Sequence, residues 1–289
     1  MNIDYPLPNR MRFEDYFKLD SNYEVQRYTV SKEWPLHWHE FYELEFIISG
    51  NGIHKINGIV SSLQRGSTFL LTPADFHEVI PAHGEVMELV NVKFSDDVIS
   101  WELRTLLFQQ GSTLMMNLSS TEATIMEADF LRLLEETSQK LLGAGIVVQG
   151  TLNRILIALL RTKLQSGSIK KEYINTISTI SPWEQELQKS LVYINHHFRE
   201  PLMLADVAKT SSFSCNYFSE CFHKTMGCTF KGYLIKLRLQ FAKSLLMNSK
   251  LPVTEISGAS GFSSLPHFLR TFKKSFGQSP IEYRKNQKQ

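Results

Sequence analysis

Towards its end the chain repeats itself. "LADVAKTSSFS" (204–214) matches "VTEISGASGFS" (253–263) at an offset of 49, and "FSECFHKTMGCTFKGY" (218–233) matches "FLRTFKKSFGQSPIEY" (268–283) at an offset of 50. Phe213/Phe262, Phe218/Phe268, Phe222/Phe272, Lys224/Lys274, Gly227/Gly277 and Tyr233/Tyr283 are identical between the copies. Each copy reads as a short helix, a turn and a longer helix. Ala208 and Ser257 are the small residues that let the two helices cross closely, and Ser212 and Gly261 fall in the turn. The shared aromatic residues form the core of each unit. Between the copies, "YLIKLRLQFAKSLLMNS" (233–249) reads as a helix, apolar at Leu234, Leu237, Leu239, Phe241, Ala242, Leu245 and Leu246. At a rise of ~1.5 Å per residue it would hold the units about 25 Å apart. That spacing suits entry into successive segments of a DNA major groove.

Charge supports that reading. The net charge is +2 over 289 residues, but residues 1–182 carry 16 Lys and Arg against 22 Asp and Glu, and residues 183–289 carry 15 against 7. The front is therefore −6 and the back +8, so only the back is suited to a polyanion. The three cysteines, Cys215, Cys221 and Cys228, are odd in number and lack CxxC spacing, which suggests reduced intracellular thiols. "ILIALL" (155–160) falls well short of the roughly 18 apolar residues of a membrane span. The opening "MNIDYPLPNRMRF" has no apolar signal core, so a cytoplasmic protein with no membrane partner is expected.

The first hundred residues carry strand signals. "EFIISG", "HKING", "STFLLTP" and "MELVNVKF" are punctuated by Gly50, Gly52, Gly58, Gly66 and Pro73, the pattern of a sandwich or barrel. From Thr121 the spacing turns helical at Met126, Phe130, Leu133, Leu134 and Leu141, with Gly143 to Gly145 ending that helix. A second helix carries Leu152, Ile155, Leu156, Leu159 and Leu160. These stripes must be buried on the barrel or on another subunit. The expected fold is α+β, with a β-domain over 1–120 and a helical segment over 121–165. A linker over 166–182 then leads to an all-α domain over 183–289. That domain opens at "SPWE", where Ser181 caps, Pro182 suits the first turn and Glu184 completes a capping box. Leu187, Leu191, Ile194 and Phe198 stripe its first helix, and Pro201 ends it.

Residues 183–286 resemble the DNA-binding domain of the AraC/XylS family of transcription regulators, most specifically through "GFSSLPHFLRTFKKSFGQSPIEYR". The front half is similar, more loosely, to the cupin-type sensor domain of that family. The resemblance implies a regulator, with no enzymatic activity and no cofactor, that binds promoter DNA and a small polar effector such as a sugar. It implies a homodimer formed through helices 121–165 and opens the prospect of contact with RNA polymerase, as in an activator. The first turn of each longer helix would point into the groove, which nominates Ser214, Cys215, Asn216 and Ser219, then Ser264, Leu265, His267 and Arg270. Asn216 suits adenine and Arg270 guanine; phosphate contact is the alternative for each. Lys224, Lys273, Lys274 and Arg284 are the expected phosphate partners. Glu220 departs from the family by placing a carboxylate where it would repel phosphates, and Pro266 is tolerable only in a first helical turn.

"HWHEFYE" (37–43) poses a separate question. His37, His39, Glu43 and Gly50 fit the metal-ligand spacing of cupin enzymes, and period-two alternation would put His37, His39, Phe41 and Glu43 on one strand face. "GSTFLLTPADFH" adds His77. This second motif is imperfect: the Gly66 to Pro73 gap is one residue too long, Asp75 replaces a glycine, and Pro73 to His77 is one too short. Three readings compete: a solvated face, an effector pocket made by His37, His39, Glu43 and His77, and a metal site. The effector pocket, without metal, is the expectation, since a cavity with a few convergent polar groups is the usual form of a ligand site.

Overall fold

The computed structural model describes residues 9–17, 21–73, 75–95, 98–100, 103, 107, 114–139, 141–165 and 182–286. The expected linker up to residue 181, and with it the capping serine Ser181, lies outside the described residues. The chain divides into two compact units, one holding residues 10–73 and 77–180, the other centred on 181–289.

The first unit is built from ten strands among the described residues: β1 (Asn9–Met11), β2 (Tyr23–Val30), β3 (Trp34–His39), β4 (Tyr42–Ser49), β5 (Gly52–Ile56), β6 (Ile59–Leu63), β7 (Ser67–Leu71), β8 (Phe76–Pro81), β9 (Met87–Phe94) and β10 (Leu114–Asn117). They form two five-stranded sheets, ordered β1-β3-β8-β5-β6 and β10-β7-β4-β9-β2. This is the expected cupin-like barrel, and two helices follow it, α1 (Ser120–Gln139) and α2 (Ala144–Gln165).

Strand β4 shows how the layers are sorted. Its even-numbered residues Leu44 and Phe46 join Val90 and Val92 of β9 in a core with Phe130, Leu133, Leu152, Ile155 and Leu159 of the helices. Its odd-numbered residues face the barrel interior, where Ile47 packs with Phe69, Leu71, Val79 and Leu89. The barrel therefore buries the apolar stripes of both helices. α2 is long and apolar enough to cross a membrane, but Val148, Leu152, Ile155, Leu156 and Leu159 are buried in this core. One expectation shifts: Gly145 lies inside α2, and Leu141 is half exposed between the helices instead of extending the first stripe.

The second unit is all-helical: α3 (Pro182–His197), α4 (Leu204–Thr210), α5 (Cys215–Met226), α6 (Phe230–Asn248), α7 (Val253–Ala259), α8 (Leu265–Phe276) and α9 (Pro280–Asn286). α4 and α5 form one helix-turn-helix, α7 and α8 the other. Leu187, Leu191, Ile194 and Phe198 of the α3 stripe are buried, as are Ala208 and Ser257 where the short helices are crossed. Both turns take a left-handed residue, Ser212 at φ 56° and Gly261 at φ 81°. A Cβ on Gly261 would lie 2.7 Å from the Arg199 carbonyl oxygen, so only glycine fits there.

Candidate sensor pocket and DNA-reading helices

The interior of the barrel is zoned. Beyond the apolar layer around Ile47, the inward residues of β4 and β9 become polar. Antiparallel pairing sets Glu45 opposite Asn91 and Glu43 opposite Lys93. These four residues line a pocket with Met11, Tyr28, Val30, Trp34, His37, His77, Val79 and Leu89. Counted to its open mouth the pocket has a volume of about 380 Å³.

"HWHEFYE" is not one strand. β3 ends at His39 in one sheet and β4 begins at Tyr42 in the other, so the segment turns a corner between sheets. The single-face argument from period two is thus corrected. The side chains converge nonetheless, because His37 and Glu43 face each other across the interior. His77 comes from β8, the neighbour of β3. The solvated-face reading fails on burial: His37, His39, Glu43 and His77 are at most 4% exposed. His39 is corrected as a lining residue. It is wholly buried behind the pocket, stacked on Phe41 with ring centroids 4.9 Å apart, and reaches the site only through Glu43.

Glu43 is the hub. Its Oε2 lies 3.2 Å from Nε2 of both His39 and His77. Its Oε1 accepts from Asn91 Nδ2 at 2.7 Å, and the same amide donates to Glu45 Oε1 at 2.7 Å. Behind His77, His54 Nε2 stands 3.1 Å from His77 Nδ1. Burial alone would raise the Glu43 carboxyl, but the His39 and His77 imidazoles override it and hold it well below the usual range. Glu45 goes the other way: burial, then the neighbouring Glu43 carboxylate, push it well above the usual range. His37 is pushed down to about 3 by burial and by His77, which leaves a neutral imidazole. Lys93 donates to Glu24 at 2.9 Å and Tyr28 at 3.1 Å.

Sequence reasoning missed Tyr28, Trp34, Glu45, His54, Asn91 and Lys93. Continuing the alternation from Glu43 would have found Glu45. Asn91 and Lys93 alternate within "MELVNVKF", but their relation to Glu43 depends on a cross-strand register that one sequence does not display.

In the helical unit, Ser214, Asn216 and Ser219 of the first copy and Ser264 and Arg270 of the second are exposed, with Cys215, Leu265 and His267 half-buried at the same helix starts. Ser214 caps α5 by accepting from Tyr217 N at 3.3 Å, and Ser219 Oγ donates back to the Cys215 carbonyl. Pro266 sits in the first turn of α8, where it is tolerated. Lys273 and Lys274 are exposed, and Lys224 stands 5.4 Å over the Trp183 ring. Tyr217, 44% exposed beside Asn216, was not anticipated. Arg284 is a correction. Its guanidinium donates to the Leu246 carbonyl at 3.3 Å and the Leu251 carbonyl at 2.6 Å, tying α9 to the end of α6 instead of reaching for phosphate. Arg238 does the same for the end of α3, donating to Phe198 and Glu200 carbonyls at 2.6 and 2.7 Å.

A buried polar pocket in one unit and two helix-turn-helix elements in the other define a ligand-responsive, DNA-binding transcription regulator. Comparison with known proteins narrows the class. Residues 20–160 match the AraC-like ligand binding domain and residues 207–286 a helix-turn-helix domain. The chain belongs to the AraC/XylS family of transcription regulators. It is 27% identical over 269 residues, 92% of each chain, to the HTH-type transcriptional activator RhaR of Mannheimia succiniciproducens. Similarity to the Msm operon regulatory protein of Streptococcus mutans is 26% over 251 residues, 84% of each chain. Among solved structures, ToxT of Vibrio cholerae aligns over 91% of this chain and 97% of its own at 14% identity and a TM-score of 0.41.

Proposed function

We propose that this chain is a one-component transcription activator. A small polar effector, a sugar or related metabolite, enters the pocket at His37, Glu43 and His77, and the two helix-turn-helix units then act on promoter DNA. The observation that carries this reading is the buried polar zone of Glu43, Glu45, Asn91, His37 and His77 inside the barrel of a chain that also holds two DNA-reading units. Relatives named as transcriptional activators support activation and a regulatory role. The reading takes residues 1–120 as the sensor, 121–165 as the dimer contact of a homodimer, 166–182 as the linker and 183–289 as the DNA-binding domain, in a cytoplasmic protein. The half-exposed or exposed Ile125, Leu131, Leu142 and Ile146 on and between α1 and α2 favour a partner subunit there. RNA polymerase would be the further partner of an activator.

Base reading is assigned to Asn216 and Arg270, with Ser214, Cys215, Ser219, Ser264, Leu265 and His267 beside them and Lys224, Lys273 and Lys274 on phosphates. The test is a panel of sugars and related metabolites, read by thermal shift and by the affinity of the full chain for DNA upstream of its own gene. One compound should raise the melting temperature and change DNA affinity, and His37→Ala should abolish both effects. Affinity should fall steeply with salt, with a log–log slope of about −5 to −7 for some 5–8 phosphate contacts. A salt-insensitive interaction would end the DNA assignment.

A further inference from the structure

Two acceptor atoms inside the barrel are left over by its hydrogen bonds. Glu45 Oε2 and Asn91 Oδ1 are buried, belong to residues that line the pocket, and accept no hydrogen bond among the described residues. We propose that the effector carries a primary ammonium group, seated against Glu45 and the Asn91 side-chain oxygen with the Glu43 carboxyl beside them. The inference rests on the reading of this pocket as the effector site and narrows the effector to an amine, either a free one or an amino sugar.

The directions of the hydrogen bonds carry the argument. One amide nitrogen, Asn91 Nδ2, donates to Glu43 Oε1 and to Glu45 Oε1, both at 2.7 Å. Both of its hydrogens are thereby used, and two carboxyls are held side by side. Strands β4 and β9 enforce this, since their register sets Glu45 opposite Asn91 and alternation puts Glu43 on the same inward face. His37 Nδ1 lies 2.9 Å from the Pro35 carbonyl, which can only accept, so the neutral ring carries its proton there and Nε2 is a lone pair. The resident cation is committed elsewhere. Lys93 Nζ donates to Glu24 at 2.9 Å and Tyr28 at 3.1 Å, and stands 4.3 Å over the Tyr16 ring. Glu45, Asn91 and His37 thus offer an incoming molecule a carboxyl oxygen, an amide oxygen and an imidazole nitrogen, all of them acceptors.

That inventory separates an amine from a plain sugar. A sugar hydroxyl donates one hydrogen and brings lone pairs of its own, which would meet acceptors here. An ammonium brings three donors and no lone pair, and its charge meets two carboxyls. Burial and the Glu43 carboxylate push the Glu45 carboxyl up; a cation against the pair offsets that repulsion and draws Glu45 into its charged, accepting form. Trp34 adds an aromatic wall. It lines the pocket, is 38% exposed, and packs edge-on to Tyr28 with ring centroids 5.6 Å apart. A ring face of this kind attracts a cation as well as the carbon skeleton that bears it.

The experiment compares matched pairs on the full-length protein at neutral pH: glucosamine against glucose, galactosamine against galactose, and diaminobutane against butanediol. Calorimetry and thermal shift read the binding, and the sugar and diamine arms distinguish an amino sugar from a free amine. At least one amine should bind, with its hydroxyl counterpart weaker by at least about tenfold. Glu45→Gln, which puts a donor in place of an acceptor oxygen, should weaken that amine by at least about tenfold, and Glu45→Asp should weaken it less. Glu88→Gln, also at the β4–β9 pairing but in an exposed ion pair with Arg27, should leave its affinity unchanged. Equal affinities within every pair, binding by no amine, or an amine affinity unaltered in Glu45→Gln overturns the proposal. Should the Glu45 variants fail to fold by circular dichroism, the matched pairs on the unaltered chain decide alone. The effector reading fails separately. A neutral sugar that binds and changes DNA affinity through His37, while no amine does, keeps the sensor and loses the ammonium. An amine that binds through Glu45 but leaves DNA affinity unchanged keeps the ammonium site and loses the sensor.

Discussion

The two helix-turn-helix units share a scaffold and differ where they would meet DNA. Aligned at an offset of 50, Glu220 of α5 stands where α8 has Arg270, Asn216 where it has Pro266, and Tyr217 where it has His267. α5 holds one acidic and one basic residue, Glu220 and Lys224, a balance of 0; α8 holds Arg270, Lys273 and Lys274, a balance of +3. The change of offset from 49 to 50 has a structural reading as well. The second unit spends one more residue between its turn and its longer helix, and Ser264 makes no side-chain cap, whereas Ser214 caps α5. A helix of zero net charge gains little from a polyanion beyond its specific contacts. On this balance the second unit is expected to supply attraction to any duplex, and the first to contribute through shape and individual bases.

The largest test of this pairing is at the turns. Gly261→Ala should destabilise the helical unit by about 2–4 kcal/mol, because it combines a strained φ with a Cβ pressed on the Arg199 backbone. Ser212→Gly should gain up to ~1 kcal/mol by relieving φ 56°. Urea midpoints read both, and equal effects of the two substitutions would break the claimed asymmetry.

Next come the arginines that tie helix ends. Arg284→Ala should cost about 1.5–3 kcal/mol of stability through two lost bonds from a charged donor, and Arg238→Ala a similar amount. Neither should change the salt slope of DNA binding measured on protein that remains folded. A slope reduced by about 1 in Arg284→Ala would restore it to the phosphate contacts.

At the reading helices, Arg270→Ala should cost ~1–3 kcal/mol on the preferred site and relax one base position. Glu220→Gln should strengthen binding to all sequences alike. If it instead weakens one site and alters one position, Glu220 accepts from a cytosine amine and the first unit reads bases directly. Anisotropy titrations over a set of single-base variants separate these outcomes.

The smallest effects are expected at the paired lysines. Lys274→Ala should lower the salt slope by about 1 without changing base preference. Lys224→Ala should do less, since its ammonium stands 5.4 Å over the Trp183 ring. A larger loss at Lys224 would make the first unit the main phosphate anchor.

The division between what could and could not be read runs along the same boundary as the two units. In the helical unit the signals are local. Spacing at i, i+3 and i+4, small residues at helix crossings and left-handed turn positions all lie within a few residues of one another, so the sequence alone determined two helix-turn-helix units and their buried aromatic residues. Arg284 escaped because a carbonyl acceptor 33 residues away leaves no trace in spacing. In the barrel the strands β4, β5, β7 and β9 were legible from β-branched runs and turns, and so were His37, Glu43 and His77 as polar residues in need of an explanation. The sequence could not show that "HWHEFYE" bends between two sheets. Nor could it show that His39 lies behind the pocket, or that Asn91 and Lys93 stand opposite Glu45 and Glu43. Those facts belong to the tertiary structure, because a side chain in a sheet meets partners set by register with strands some fifty residues away, whereas a side chain on a helix meets those one turn along its own chain.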